Sequence, residues 1–152
     1  MEARSNPCRE EVIVELHLEF STDQFKLTGA LPDHINAGNQ FYGEDVAKWL
    51  CETLSQWNLT YLDEDWGWLV WTSKDVLQVE ERNMICVYAY PKDNPEASNF
   101  GDWMLTILTE YQSKWFGFLI RWKRGPYNPS LANDVIAALK KLGVQDLRQT
   151  EV

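Results

Sequence analysis

The sequence predicts an α+β domain, an antiparallel sheet of about five strands with two helices packed on one face. Three observations carry that expectation. Residues 11–20 alternate apolar and polar side chains, as a half-buried strand does. Two segments, one opening at Gly43 and one after Asn128, repeat apolar residues with the period of a helix. Between those two segments, four apolar stretches follow one another without an intervening helical pattern. The order β, loop, α, a run of strands, α does not alternate as a parallel doubly wound sheet requires. At 152 residues the chain can bury a core of its own without disulfides or metal.

Residues 1–10 are polar and contain Pro7, and read as a flexible arm; the domain is expected to span 11–143, followed by a polar, frayed tail over 144–152. In the first strand Val12, Val14, Leu16, Leu18 and Phe20 share the face expected to meet the core, while Ile13, Glu15, His17 and Glu19 share the other. The connection Ser21 to Tyr42 is long for a compact domain, and long connections are often functional. A plain loop held by its own side chains is the other reading, with a short strand near Phe25 to Thr28 inside it.

Gly43 then opens a helix with Glu44 and Asp45 in its first turn, where the helix dipole favours negative charge. Val46, Trp49, Leu50, Thr53, Leu54 and Trp57 form its apolar stripe, so Trp49 and Trp57 are expected to hold the helix to the sheet. The stretch Asp63-Glu64-Asp65-Trp66-Gly67-Trp68-Leu69-Val70-Trp71 follows. Alternation from Trp66 places Trp66, Trp68 and Val70 on one face of a strand and Leu69 and Trp71 on the other, with the three carboxylates as a water-facing edge at its entry. Met84 to Tyr90 is apolar on both faces, as an inner strand is, and Pro91 ends it. Trp103 to Glu110 and Lys114 to Trp122 read as a hairpin turning at Tyr111-Gln112-Ser113. Asn128 and Pro129 start the last helix, Leu131, Val135, Ile136, Leu139 and Leu142 form its stripe, and Gly143 ends it.

The net charge of −9 lies entirely in residues 1–76, which hold 14 acidic and 5 basic residues against 9 of each in 77–152. Nucleic acid is repelled by such a balance and cationic partners are steered by it, although aromatic and basic residues interleave around Trp115 and Trp122. Three cysteines make no disulfide framework, and with no apolar leader or membrane-length run the protein is expected to be cytoplasmic. Phosphate-loop, nucleophile-elbow and zinc-ribbon spacings do not occur, and no cofactor or metal is expected.

The helix start Gly43-Glu44-Asp45-Val46…Trp49-Leu50, followed by Glu64-Asp65-Trp66-Gly67-Trp68, resembles a family of short, uncharacterised bacterial α+β proteins that share this helix and an EDWGW core. The resemblance covers residues 11–72 and implies a fold, not an activity. In type alone, as a small acidic domain rich in aromatics, the chain is similar to immunity proteins that neutralise toxins.

These residues point to a non-enzymatic, acidic protein-binding domain, immunity- or inhibitor-like, facing a partner with a basic surface. The expected recognition surface is Asp63, Glu64 and Asp65 with Trp66 or Trp68, and His34, Asn39 and Tyr42 from the long connection. One alternative is a small hydrolytic or metal-dependent enzyme using Glu15, His17, Glu19 and His34; another is a structural protein that self-associates as a homodimer through exposed tryptophans.

Overall fold

In the computed structural model, which describes residues 12–76, 79–91, 99–115 and 119–152, the alternating first segment forms strand β1 over Glu15–Thr22. Leu16, Leu18 and Phe20 are buried as expected, but Val12 precedes the strand and is exposed. The long connection follows as irregular chain with one 3-10 turn at Ile35–Gly38; no strand forms at Phe25 to Thr28, yet Phe25 and Leu27 are buried. Helix α1 spans Glu44–Thr53, and β2 spans Thr60–Glu64, β3 Gly67–Val76, β4 Val79–Tyr90, β5 Gly101–Trp115 and β6 Leu119–Gly125. Helix α2 covers Pro129–Leu142 and β7 covers Gln145–Glu151. The arm expected at 1–10 and most of the loop after Pro91 lie outside the described residues.

The sheet has seven strands rather than about five, in the order β2-β3-β4-β5-β1-β7, with β6 paired to β5. Every described pairing is antiparallel. Strand β5 is long enough to serve two neighbours on one side: Gly101 to Leu108 pairs with β1, and Thr109 to Trp115 with β6. The hairpin expected to turn at Tyr111-Gln112-Ser113 therefore turns later, because β5 continues to Trp115 and β6 starts only at Leu119.

The two additional strands are the sheet's edges. Strand β2 takes in Asp63 and Glu64, which pair across from Trp68 and Gly67, so part of the acidic triplet is a strand and not its approach. Strand β7 corrects the expectation of a frayed tail over 144–152, since Gln145 to Glu151 pairs with β1 and the Val152 carbonyl accepts from the N–H groups of Val14 and Glu15, both at 3.0 Å. An edge strand with one solvated face needs few apolar side chains, and in β7 only Leu147 packs against the core.

Register divides the side chains into two faces. Leu16, Leu18 and Phe20 of β1, Trp103, Leu105 and Ile107 of β5, Ile85 and Val87 of β4, and Trp68 and Val70 of β3 form one apolar layer. Both helices pack on it. Val46, Leu50 and Leu54 from α1 and its exit are buried there, whereas Thr53, expected in the same stripe, is exposed. Leu131, Val135 and Leu139 of α2 are fully buried in the same layer. Trp49 and Trp57 are half-buried against this core. Trp49 lies 5.5 Å from the Phe25 ring. Helix α1 ends at Thr53, short of the expected stripe, so Trp57 stands in the 3-10 turn Ser55–Trp57. Its Nε1 donates to Asp134 Oδ2 at 2.8 Å, tying that turn to α2. The ends of α2 follow the expected chemistry: the Asn128 side chain accepts from Ser130 N and Leu131 N, and Gly143 ends the helix at φ 81°.

Gly43, just before α1, sits where the helix layer meets the sheet. Its φ is 137°, and a Cβ built there would lie 2.9 Å from Trp68 Cδ1 and 3.2 Å from Val87 Cγ1. Both wall atoms belong to buried side chains, so neither can withdraw freely. Gly43→Ala is therefore expected to destabilise the fold by about 2–3 kcal/mol through combined strain and overpacking. A urea denaturation midpoint equal to that of wild type would contradict this packing.

Candidate functional site

Asn36 joins the long connection to the acidic hairpin β2–β3. Its backbone is left-handed at φ 52°, a conformation that asparagine tolerates better than most residues, and its side chain is wholly buried. Asn36 N and Nδ2 donate to Asp63 Oδ1 at 2.8 and 2.7 Å. Nδ2 also lies 2.9 Å from the carbonyl oxygens of Glu64 and Gly67, and Oδ1 accepts from Phe41 N at 2.7 Å. Asn39 Nδ2 adds a bond to the Asp65 carbonyl at 2.8 Å.

The connection and the acidic triplet thus meet, as expected, but internal bonding uses much of what was expected to face a partner. Asp63 is exposed, yet one of its carboxylate oxygens is taken by Asn36. Trp68 is 3% exposed and its Nε1 donates to the Phe41 carbonyl at 3.0 Å, so it belongs to the core and is no surface anchor. Tyr42 is half-buried, and its hydroxyl donates to the Gly29 carbonyl. His34, Asn39 and Asp65 are exposed at this corner.

Trp66 behaves differently from Trp68. Gly67, at φ 151°, interrupts the alternation expected across Trp66 and Trp68. Instead of sharing the Trp68 face, the Trp66 ring lies on the opposite face of the sheet, 5.6 Å from the Tyr88 ring. Among the described residues, no helix lies on that face. The register Leu62–Leu69–Cys86–Thr106–His17 runs straight across it from β2 to β1, and Thr60–Trp71–Met84–Leu108–Glu15 runs beside it. Cys86 and Leu108 are buried yet stand outside the helix-covered core, because they lie in the middle of this second face.

The half of this open face on β2, β3 and β4 is apolar: Leu62 is 44% exposed, and Trp66, Leu69, Trp71, Met84 and Tyr88 are half-buried. The half on β1, β6 and β7 is charged. Glu15 pairs with Arg124 and lies 3.1 Å from His17 Nε2, and Glu19 lies 3.1 Å from Arg148. Arg82 links the two halves, its guanidinium 3.7 Å from the Trp122 ring centroid and 5.9 Å from that of Trp71. Each such contact contributes roughly 0.5–1 kcal/mol where water reaches it. At one end the face deepens into an open depression of about 720 Å³, lined by Glu19, Ser21, Tyr90, Asp102, Asp146 and Arg148. Ser21 Oγ donates to Asp102 Oδ1 at 2.6 Å.

The chemistry of this face is quiet. Burial pushes the Cys86 thiol up to about 11 and the Tyr88 phenol up to about 12, so both are neutral near pH 7 and Cys86 presents no thiolate. Glu15, His17 and Glu19 share the face as expected, but the structure does not bring His34 to them. His34 precedes the turn fastened to β2, and three strands separate β2 from β1, a distance of roughly 19 Å at ordinary strand spacing. Among the described residues, no cluster of three or more His, Cys, Asp or Glu side chains is disposed to hold a metal ion. Among the same residues, no helix is long and apolar enough to cross a membrane.

Comparison with protein-family models, curated proteins and solved structures finds no match.

The residues that sequence reasoning missed are Asn36 and the open-face group Leu62, Met84 and Tyr88. An Asn in a Gly- and Asn-rich turn carries a weak signal of left-handed backbone. The open-face group becomes visible only once strand register is known. Asn36→Ala is expected to cost about 2–4 kcal/mol, because it removes several buried hydrogen bonds together. Asp63→Asn keeps an acceptor oxygen and is expected to cost less than about 1 kcal/mol. Hydrogen exchange at the Phe41 amide, with urea unfolding, measures both; equal losses in the two variants would mean that charge, not geometry, holds the junction.

Proposed function

We propose that this chain is a non-enzymatic protein-binding domain that recognises a partner with a basic surface, in the manner of an inhibitor or immunity protein. The observation that carries the reading is the open sheet face: one layer of helices covers the other side, while Leu62, Trp66, Leu69, Trp71 and Tyr88 stand on this side and, among the described residues, no element is packed over them. Large aromatic side chains and a stacked arginine are the groups that dominate interface energies. Apolar residues on β2 to β4 give area to bury, and the acidic corner Asp63 to Asp65 beside them, with the net negative charge of residues 1–76, sets the sign of the partner.

Relative to the corner Asp63 to Asp65, this reading moves the centre of recognition onto the open face and keeps Trp66 as the residue common to both. The acidic corner then contributes long-range attraction, and Glu64 and Asp65 lie at the rim.

The test is capture of partners from the source cell by wild type and by a Trp66→Ala/Tyr88→Ala double variant, with circular dichroism confirming the fold. The double variant is expected to lose at least about tenfold in affinity, since each interfacial aromatic commonly contributes 1 kcal/mol or more. Association of wild type should also slow as salt is raised. A partner held equally by both proteins, at a salt-independent rate, would move recognition off this face.

A further inference from the structure

On the helix-covered side, the connection between β1 and α1 encloses a cavity of about 250 Å³ that takes no part in the open face. Its walls are Leu31, Ile35, Phe41 and the Trp68 indole, and the first residues of α1 line its mouth. Tyr42, through its bond to Gly29, and Asn36, through its bonds to the hairpin, keep the connection arched over it. An apolar cavity of ~150 Å³ already accepts benzene, so this one has room for a ring-sized body and a short polar extension.

The charged groups at the mouth differ in how far they are used. Glu44 Oε1 lies 3.4 Å from Lys48 Nζ and accepts from the Tyr61 hydroxyl at 3.2 Å. Asp45 Oδ2 accepts from the Lys26 backbone N–H at 2.7 Å, and its Oδ1 accepts from Val46 N at 3.0 Å. Both carboxylates are thus engaged by donors of the protein. Lys26 lines the same mouth, and among the described residues its ammonium has no carboxylate partner.

We infer that this cavity binds a small amphipathic carboxylic acid, its ring or short apolar chain against Trp68 and Ile35 and its carboxylate at the Lys26 ammonium. The inference is independent of the partner-binding reading, because none of these groups lies on the open face.

Ligand-observed NMR titration of the full chain with phenylacetate, benzyl alcohol and phenethylamine separates the contributions of body and charge. Phenylacetate is expected to saturate with a dissociation constant in about the micromolar-to-millimolar range, as suits so small a ligand. Benzyl alcohol should bind more weakly, and phenethylamine weakest. Lys26→Gln, at an exposed position, should weaken phenylacetate about tenfold and leave benzyl alcohol unchanged, as loss of one charge-assisted hydrogen bond predicts. Leu31→Trp, which fills the cavity, should abolish binding of all three while its urea midpoint reports that the chain is folded. Absence of saturable binding by any of the three would overturn the proposal. So would phenethylamine binding as tightly as phenylacetate, or undiminished binding by a folded Leu31→Trp variant.

Discussion

The hydrogen bonds of Asn36 are the constraint on which the arrangement of this half of the molecule depends. One buried amide joins a long irregular connection to the turn of the β2–β3 hairpin, its Nδ2 reaching the backbone carbonyls of Glu64 and Gly67 as well as Asp63. With that junction fixed, Phe41 is positioned to accept the Trp68 indole N–H, and Gly43 comes within van der Waals contact of the Trp68 ring. Helix α1 then starts where its stripe can reach the sheet. The left-handed backbone at Asn36 and Ala37 carries a local cost, and the concentrated bonding around them offsets it.

The second organising feature is the difference between the two faces of one sheet. Tryptophan serves on both, in different capacities. Trp68 and Trp103 are core residues, nearly inaccessible to water, and they fix the helix layer. Trp66, Trp71 and Trp122 lie on the open face, where a ring keeps one side in contact with the protein and the other toward solvent. A composition rich in tryptophan is thus explained twice over, by a large core and by a face that, among the described residues, no helix covers.

Much of the fold could be read from the sequence where one residue type has one role. Alternation in β1, the stripes of α1 and α2, and the Asn128 and Gly143 helix ends all express local physics, and the structure agrees with them except at Val12, Thr53 and Trp57, which lie outside the strand, the buried stripe and the helix respectively. Strands β2 and β7 were hidden because edge strands can be polar, and a polar strand resembles a loop in composition. The site was half legible. Proximity of the connection to the acidic triplet was foreseen, but the sense of the contact was not: Asp63 bonds inward to Asn36, and the chain reversal at Gly67 sends Trp66 and Trp68 to opposite faces. Neither fact is encoded in periodicity, since both depend on positive-φ positions and on register between segments far apart in the chain.

Strand β1 lies between β5 and β7 in the sheet, though both are far downstream in sequence. During synthesis on the ribosome, an alternating, strongly β-forming segment therefore emerges early and waits for most of the polypeptide before either flank can be paired. Through that interval its two bare edges are open to wrong pairing, and folding must close very long loops before β1 takes its place in the sheet. The glutamates and the histidine on its solvent side lower the apolar character of that waiting segment, so the same residues that border the open face of the finished molecule also guard the nascent chain against aggregation.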